Sequence, residues 1–344
     1  MEQILTCVSV RQIHFEPSSY CNAACQLCPR HEITEGIYRR SGHLVESHLH
    51  MDIVRRLLAD PLLHPRCNWL LCGNLGEPMM HPDILDMVRE LQARSGEHFW
   101  CSLHSNGGIG SVDTWHQLGK LLRDPHGQVL FGLDGLEDTN HIYRRNTRWD
   151  VIMRNAQAFI AAGGRAVWKF IDFPHNHHQI EAARQLSQQL GFYAFTVDAN
   201  AAGGHDPLPE LQYSAEWAPV SALDLDDFDP IAANASMRQD TDLSCEHVKY
   251  GSIYIDAQGR VWPCCFLVTV LNNPDQRRQR IARRFLLEPY GPDWNDLNQH
   301  DLSQILQNPY WDDLYASLED NSGIYMCAQA CGQSPFRTRD RAIG

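Results

Sequence analysis

The 344-residue sequence lacks the long apolar run that a membrane span requires. A transmembrane helix needs roughly 20 consecutive apolar residues, and no stretch of the chain approaches that length. The first residues, MEQILTCVSVRQIHFEP, have no basic segment leading into an apolar one, so they do not resemble a secretory signal peptide. These absences predict a cytoplasmic protein that has no membrane partner.

Positive charge is also scarce. Lys and Arg total 29 against 42 Asp and Glu, which gives a net charge of −13. Nucleic-acid phosphates are bound by a basic face. The one basic run, RRQRIARR at 277–284, leads into the acidic EPYGPDWND and is typical of a solvated helical face. The sequence therefore predicts no nucleic-acid partner.

Cysteine, by contrast, is abundant, with twelve residues. In a chain without an export signal, cysteines are expected to stay reduced, which favours metal ligation over disulfides. Four of them lie singly in apolar surroundings and are predicted to be buried core thiols: Cys7, Cys67, Cys72 and Cys101. The others form one group at 21–28 and a second group at 245–331.

Strand-like runs alternate with amphipathic helical segments from residue 10 to about residue 198. Strands are predicted at 10–15, 67–72, 98–104, 128–134, 165–173 and 192–198, and helices at 51–60, 82–94, 149–163 and 178–191. Six strands alternating with helices predict an α/β fold with a parallel sheet and right-handed crossovers. Sites in such sheets lie in loops at the C-terminal ends of the strands, which is where the first cysteine group falls.

The first cysteine group, in SSYCNAACQLCPRHE, has the spacing C-x3-C-x2-C at Cys21, Cys25 and Cys28. Three thiolates leave one position open in a tetrahedral zinc site or a four-iron cluster. His31 could supply a fourth ligand to a structural zinc ion. Zinc sites, however, seldom begin with C-x3-C and seldom open a βα barrel.

A C-x3-C-x2-C loop after the first strand resembles the signature of the radical SAM superfamily. The resemblance implies a partial (β/α)6 barrel and a [4Fe–4S] cluster held by Cys21, Cys25 and Cys28, whose fourth iron binds S-adenosylmethionine. In this family, electron transfer into the sulfonium yields methionine and a 5′-deoxyadenosyl radical that abstracts a substrate hydrogen. The resemblance also implies an electron donor such as flavodoxin or ferredoxin.

Two further motifs follow the predicted strands in the family's order. Gly76-Glu77-Pro78 in GNLGEP resembles the GGEP motif that holds the methionine amino group of the cosubstrate. Ser105 and Asn106 in HSNGG resemble the family's TNG turn. Each motif is weak alone, but their order after successive strands strengthens the resemblance.

The motif GLDG, followed by HIYRRN, resembles a stretch of the SPASM-type branch of this superfamily. The resemblance places Arg144 near the carboxylate of the cosubstrate. Gly132 stands where relatives carry a serine that can bond the ribose. Ser105, Asn106 or Lys169 could make that contact instead.

The second cysteine group comprises Cys245, Cys264, Cys327 and Cys331, with gaps of 18, 62 and 3 residues. A zinc staple would suit a domain of under about 100 residues. The predicted hairpin around DAQG and the final CAQAC instead resemble the SPASM/Twitch extension. Four spaced cysteines match Twitch, which implies one auxiliary [4Fe–4S] cluster ligated wholly by protein.

Cys265 is an additional cysteine beside Cys264. It could be the ligand in place of Cys264, or a plain buried thiol. In relatives, the residue at this position faces the substrate. Cys265 could therefore be a catalytic residue that returns a hydrogen atom to a substrate radical.

The resemblance implies four segments: a barrel at 1–203, a bridge at 204–244, a Twitch-like domain at 245–335 and a tail at 336–344. It implies hydrogen abstraction from a peptide or protein, leading to oxidation, cross-linking or epimerisation. Dehydrogenation of a small polyol or amino sugar is the alternative reaction. A non-catalytic iron–sulfur or zinc-stapled protein is the alternative of another class.

Overall fold

The computed structural model describes residues 9–34, 37–199, 212–217, 245–271 and 286–319. The strands in these ranges are β1 (Val10–Phe15), β2 (His31–Thr34), β3 (Ile37–Arg40), β4 (Leu63–Cys72), β5 (Cys101–Ser105), β6 (Gly127–Gly132), β7 (Ala166–Asp172), β8 (Ala194–Ala199), β9 (Gln212–Trp217), β10 (Ser252–Ile255) and β11 (Val261–Trp262). The helices there are α1 (Met51–Leu58), α2 (Ile84–Ser95), α3 (Val112–Leu121), α4 (Asn140–Tyr143), α5 (Trp149–Ala161), α6 (Ile180–Gln189), α7 (Glu246–Tyr250), α8 (Cys265–Leu271), α9 (Leu302–Leu306) and α10 (Pro309–Glu319).

Several predictions from the sequence concern residues outside these ranges. Cys7, Cys327 and Cys331 are among them, as are most of the predicted bridge and the tail. The domain boundaries at 203, 244 and 335 stay predictions.

Among the described residues, the main sheet of the structure has eight strands. In the described part of the chain its strand order is β11-β10-β1-β4-β5-β6-β7-β8. Every neighbouring pair is parallel except β10 and β11. The six parallel strands β1 and β4 to β8, with helices between them, confirm the predicted α/β class and all six predicted strands.

The two faces of this sheet differ in chemistry because strand side chains alternate between faces. One face is apolar and packs under the helices; Ile13, Leu103 and Phe170 on it are fully buried. The strand registers place the polar side chains on the opposite face: His14, Cys72, His104 and Lys169. This second face is the polar face of the sheet.

Local signals explain where helices begin and end. Ser111 precedes α3 and its hydroxyl accepts a hydrogen bond from the Thr114 amide at 3.0 Å, which satisfies one free amide of the first turn. Gly191 follows α6 with φ at +82°, a conformation that glycine adopts without strain. The helix predicted at 178–191 is present as α6, which ends two residues before Gly191.

Two hairpins flank the site. β2 and β3 pair antiparallel directly after the first cysteine group, and β9, from the predicted bridge, joins them through β3. The predicted hairpin around DAQG is confirmed as β10 and β11, and β10 also pairs with β1. Arg56 on α1 donates a 2.7 Å hydrogen bond to the Leu297 carbonyl, so the C-terminal part packs on the first helix. Within the described ranges, no helix has both the length and the apolarity to cross a membrane.

Candidate active site

Three cysteines lie together in the loop that follows β1. Cys25 is buried, and Cys21 and Cys28 pack beside it in an apolar cluster that includes Tyr143 and Phe173. The Cys28 amide donates to the Cys25 carbonyl at 3.1 Å, which closes a tight turn between these two cysteines. The structure therefore places Cys21 and Cys28 against the same small apolar cluster as Cys25.

Burial raises the pKa of all three thiols, that of Cys28 to about 11. Burying a thiolate without a partner therefore costs free energy at this position. A bound metal cation offsets that cost, because it stabilises the deprotonated form of the thiols that coordinate it. Soft sulfur donors of this kind suit iron–sulfur clusters, in which each thiolate binds a different iron. The three thiols fit such a cluster by their chemistry.

His31 was the candidate fourth ligand for a zinc ion. Its Nδ1 lies 3.0 Å from the Cys25 carbonyl, and its ring packs edge-on against Tyr38. Among the described residues, no three His, Cys, Asp or Glu side chains are grouped so that they could hold a single metal ion. The ring of His31 is thus engaged with the loop itself.

Glu77 joins three loops. Its Oε2 accepts a hydrogen bond from the Asn106 amide at 2.7 Å, and its Oε1 accepts one from the Met79 amide at 3.2 Å. Its own amide donates to the Tyr20 carbonyl at 2.8 Å, and Pro78 starts a short 3-10 turn. Burial raises the pKa of Glu77. Both carboxylate oxygens are engaged within the protein, so Glu77 holds the loops after β1, β4 and β5 together.

Gly76 lets the loop after β4 touch the cysteine loop. A Cβ at this position would overlap the Ser18 carbonyl oxygen and lie 2.6 Å from the Cα of Ser19. Both obstacles are backbone atoms, which a side-chain rotation does not remove. Only glycine fits this contact.

Ser105 ends β5, and Asn106 begins the turn that follows it. The Asn106 side-chain amide donates to Asn22 Oδ1 at 2.9 Å, and its Nδ2 lies 4.0 Å from the Cys21 sulfur. The Ser105 hydroxyl hydrogen-bonds the Glu77 carboxylate. The turn after β5 therefore contacts the cysteine loop directly, through Asn106.

Arg144 lies between a buried carboxylate and a cysteine sulfur. Its Nε donates to Asp134 Oδ2 at 2.6 Å, and its Nη1 lies 4.0 Å from the Cys25 sulfur. Asp134, fully buried, was not singled out from the sequence. A Cβ on Gly132 would lie 2.7 Å from the Arg144 Nη2, so the space of the missing serine side chain is filled by this arginine.

Lys169 lies farther out on the polar face. Its Nζ forms a 2.8 Å ion pair with Asp198 on β8, and the two side chains are 35% and 49% exposed. Burial lowers the pKa of His14 to about 4 and that of His104 to about 3, so both rings are neutral at neutral pH. The polar face thus offers neutral hydrogen-bonding rings beside one ion pair.

The described members of the second cysteine group lie at helix starts. Cys245 precedes α7, and Cys264 and Cys265 lie half-buried where α8 begins. Asn74, in the loop that carries Gly76, donates a 2.9 Å hydrogen bond to the Cys265 carbonyl. The structure therefore brings Cys265 to the loop after β4.

Glu16, at the end of β1, is a site residue that the sequence analysis missed. It is 1% exposed, its Oε1 accepts from the Leu75 amide at 2.5 Å, and the Tyr254 hydroxyl donates to its Oε2. Burial raises its pKa to about 7. A lone carboxylate directly after an alternating strand was the signal that could have identified it.

We expect Glu16→Gln to make stability less dependent on pH. Because the folded protein favours the protonated carboxyl, this group stabilises the fold fully at a pH below its usual pKa of 4.5. The stabilisation is lost as pH rises through about 7, the pKa in the folded protein. As pH rises from 5 to 8, the free energy of unfolding of the wild type should fall by about 2 to 3 kcal/mol relative to that of the variant. Urea unfolding of the apoprotein at each pH measures this difference.

Glu181→Gln is the matched control, because this side chain is 70% exposed. It should show no such change relative to wild type. A Glu16→Gln difference that stays constant from pH 5 to pH 8 would contradict the assignment of the raised pKa.

No protein-family model matches the chain. Among curated proteins, the tungsten-containing aldehyde ferredoxin oxidoreductase cofactor-modifying protein of Pyrococcus furiosus is 25% identical over 133 residues. The match covers 39% of this chain and 33% of that protein, so it spans about a third of the relative's length.

Solved structures resemble the chain over more of its length. A structure of anSMEcpe with bound AdoMet has a TM-score of 0.52 and 13% identity, covering 88% of this chain and 78% of that one. Streptococcus suis SuiB bound to its precursor peptide SuiA has a TM-score of 0.50 and 14% identity, covering 80% and 67%. SuiB bound to S-adenosylmethionine is matched over 61% of its length.

These likenesses show the fold, which is that of the radical SAM enzymes. The cysteine loop follows the first strand of that fold, and the GEP and SNGG motifs follow the next two parallel strands, β4 and β5. The prediction that the chain has the radical SAM fold is confirmed.

Proposed function

We propose that this chain is a radical SAM enzyme, which cleaves S-adenosylmethionine reductively and abstracts a hydrogen atom from a peptide or protein. The observation that carries the proposal is the grouping of Cys21, Cys25 and Cys28 where the loops after β1, β4 and β5 meet. A [4Fe–4S] cluster on these thiols would supply the electron that yields methionine and a 5′-deoxyadenosyl radical.

The chain's own residues then position the cosubstrate. Gly76 keeps the loop after β4 against the cysteine loop, so that its backbone carbonyls can receive the methionine amino group. Glu77 and Asn106 fix that arrangement through their mutual hydrogen bond. Arg144, 20% exposed, offers positive charge to a carboxylate at the same edge.

Two observations support a peptide substrate. SuiB and anSMEcpe, which share the fold, have been solved with peptides bound. The polar face of the sheet presents neutral His14 and His104 and the ion pair of Lys169 with Asp198. Neutral donors and acceptors suit the amide groups of a peptide, and the exposed ion pair can contact a polar side chain.

The C-terminal part would hold a second [4Fe–4S] cluster. Its proposed ligands are Cys245 and Cys264 together with Cys327 and Cys331, which lie outside the described residues. An external electron donor such as flavodoxin or ferredoxin would supply the reducing electrons.

Cys265 is proposed as the hydrogen-atom donor in an epimerisation. Its S–H bond breaks, a C–H bond forms on the substrate radical, and a thiyl radical remains on Cys265. That radical regains one electron from the external donor and one proton from solvent. The hydrogen bond from Asn74 to the Cys265 carbonyl supports this role, because it places Cys265 beside the loop after β4, which is proposed to bind the cosubstrate.

Cys265→Ser separates the donor role from a ligand role. We expect it to leave iron content unchanged, whereas Cys264→Ser should remove about four irons per chain, the content of one cluster. Iron is counted on anaerobically reconstituted protein. Iron loss in Cys265→Ser alone would make Cys265 the ligand and end its proposed role as donor.

The proposed function is tested on reconstituted wild-type protein. With S-adenosylmethionine and dithionite under anaerobic conditions, it should release 5′-deoxyadenosine, measured by chromatography. About eight irons per chain would indicate two four-iron clusters. Bound zinc in place of iron, without 5′-deoxyadenosine, would overturn the proposal in favour of a structural metal protein.

A further inference from the structure

We propose that Arg144 is a positioning residue for the cluster, acting through the sulfur of Cys25 to raise the cluster's reduction potential. This inference rests on the proposed function. The proposed effect of Arg144 on the reduction potential is separate from binding the cosubstrate carboxylate, because it is present before S-adenosylmethionine binds. Three features of the structure carry it: a fixed anchor, a cleared space and the contact with sulfur.

The anchor is Asp134, which is fully buried. Its Oδ1 accepts from the Ile171 amide at 2.7 Å, while Oδ2 accepts from Arg144 Nε at 2.6 Å. Its own amide donates to Asn140 Oδ1 at 2.9 Å, and its carbonyl accepts from Asn176 Nδ2 at 3.0 Å. Two hydrogen bonds to the carboxylate and two to the backbone therefore hold Asp134 in place, and this residue fixes the orientation of the guanidinium.

The cleared space is above Gly132, at the end of β6. A Cβ there would lie 2.7 Å from Arg144 Nη2 and 3.2 Å from its Cζ. The φ of Gly132 is outside the left-handed region, so the backbone conformation does not require glycine. The glycine serves to admit the guanidinium.

The contact with sulfur is the third feature. Nη1 of Arg144 lies 4.0 Å from the Cys25 sulfur, within hydrogen-bonding reach of a sulfur acceptor. A guanidinium stays protonated at all accessible pH values. Hydrogen bonds and positive charge at a cluster sulfur stabilise the reduced cluster, which carries the additional electron. The effect is enlarged in the low-dielectric surroundings of buried Tyr143 and Phe173.

The test is a redox titration of the reconstituted cluster, followed by electron paramagnetic resonance without S-adenosylmethionine. In Arg144→Gln, the reduced-to-oxidised ratio at fixed potential should fall about tenfold, a 59 mV negative shift for a one-electron couple. Gly132→Ala keeps all charges but displaces the guanidinium, and should shift the potential in the same direction. Arg148→Gln, at an exposed ion pair with Asp150, should leave it unchanged.

The affinity for S-adenosylmethionine is measured on the same samples. Weaker affinity with an unchanged potential in Arg144→Gln would mean that the arginine acts only on the cosubstrate, which overturns the inference. If Arg144→Gln fails to hold iron, Gly132→Ala decides, and an unshifted potential there overturns it. If wild type itself forms no four-iron cluster, the proposed function fails first, which is a distinct result.

Discussion

Replacing Cys25 with alanine is expected to abolish release of 5′-deoxyadenosine and to remove the irons of the first cluster. Cys25 is the most buried of the three thiols, and it contacts Arg144 on one side and the apolar cluster on the other. Alanine leaves one iron without its thiolate, and water has poor access to replace it. Chromatography of the reaction and an iron count on the same sample measure both effects.

Cys101→Ala is the matched control, since it removes an equally buried sulfur from β5, in the core. It should cost about 1 kcal/mol in stability through lost packing and leave iron and turnover unchanged. Full turnover in Cys25→Ala would contradict the ligand assignment. Equal losses in both variants would point to general destabilisation.

The second large effect is expected for Gly76→Ala. The added Cβ would overlap the Ser18 carbonyl and press on the Cα of Ser19, so the two loops must separate. We expect a loss of about 3 kcal/mol in the free energy of unfolding, at the high end for overpacking by one methyl group. Affinity for S-adenosylmethionine should fall at least about tenfold, which corresponds to 1.4 kcal/mol.

Gly96→Ala provides the comparison for that variant. A methyl group on Gly96 would meet no other atom within 4 Å, and the φ of this residue is +55°. Alanine there should cost about 1 to 3 kcal/mol, because a φ of +55° with a ψ of −128° is a backbone conformation that only glycine adopts readily. It should leave cosubstrate affinity unchanged. Wild-type affinity in Gly76→Ala would show that the contact between the two loops is dispensable for binding.

Much of the sheet was predictable because its strands are short runs that alternate with amphipathic helical segments along the chain. The cysteine loop was predictable for a different reason, since its three ligands are close in sequence. Glu77 was identified by its motif, and in the structure its carboxylate oxygens accept hydrogen bonds from the amides of Met79 and Asn106. The motif predicted the position, and only the fold defines the partners.

Other site contacts were hidden because they join distant segments. Glu16 meets Tyr254 across 238 residues of sequence, and no local pattern records such a pair. Gly132 was interpreted as a missing serine, whereas its neighbour in space is Arg144. Asp134 lies within the GLDG motif, but its role stayed hidden for the same reason.

Helix α3 contains Gly119, a residue that weakens a helical pattern. In the structure, a Cβ at Gly119 would lie 2.5 Å from the Phe159 carbonyl and 2.8 Å from the Cβ of Ala162. The glycine allows α3 and α5 to pack closely. Gly119 is thus unfavourable for α3 in isolation but is required for the close packing of α3 against α5.

The pairing of β10 with β1 has a consequence for biosynthesis. Ile13 pairs with Ile253, so this edge of β1 waits for 240 further residues to be translated. At ribosomal speed the interval is on the order of tens of seconds. During that time, β1 presents an open strand edge, which invites pairing with other chains. The strand that leads into the cysteine loop is therefore completed late, and iron delivered to the nascent chain would reach a loop whose supporting strand is still unpaired on that edge.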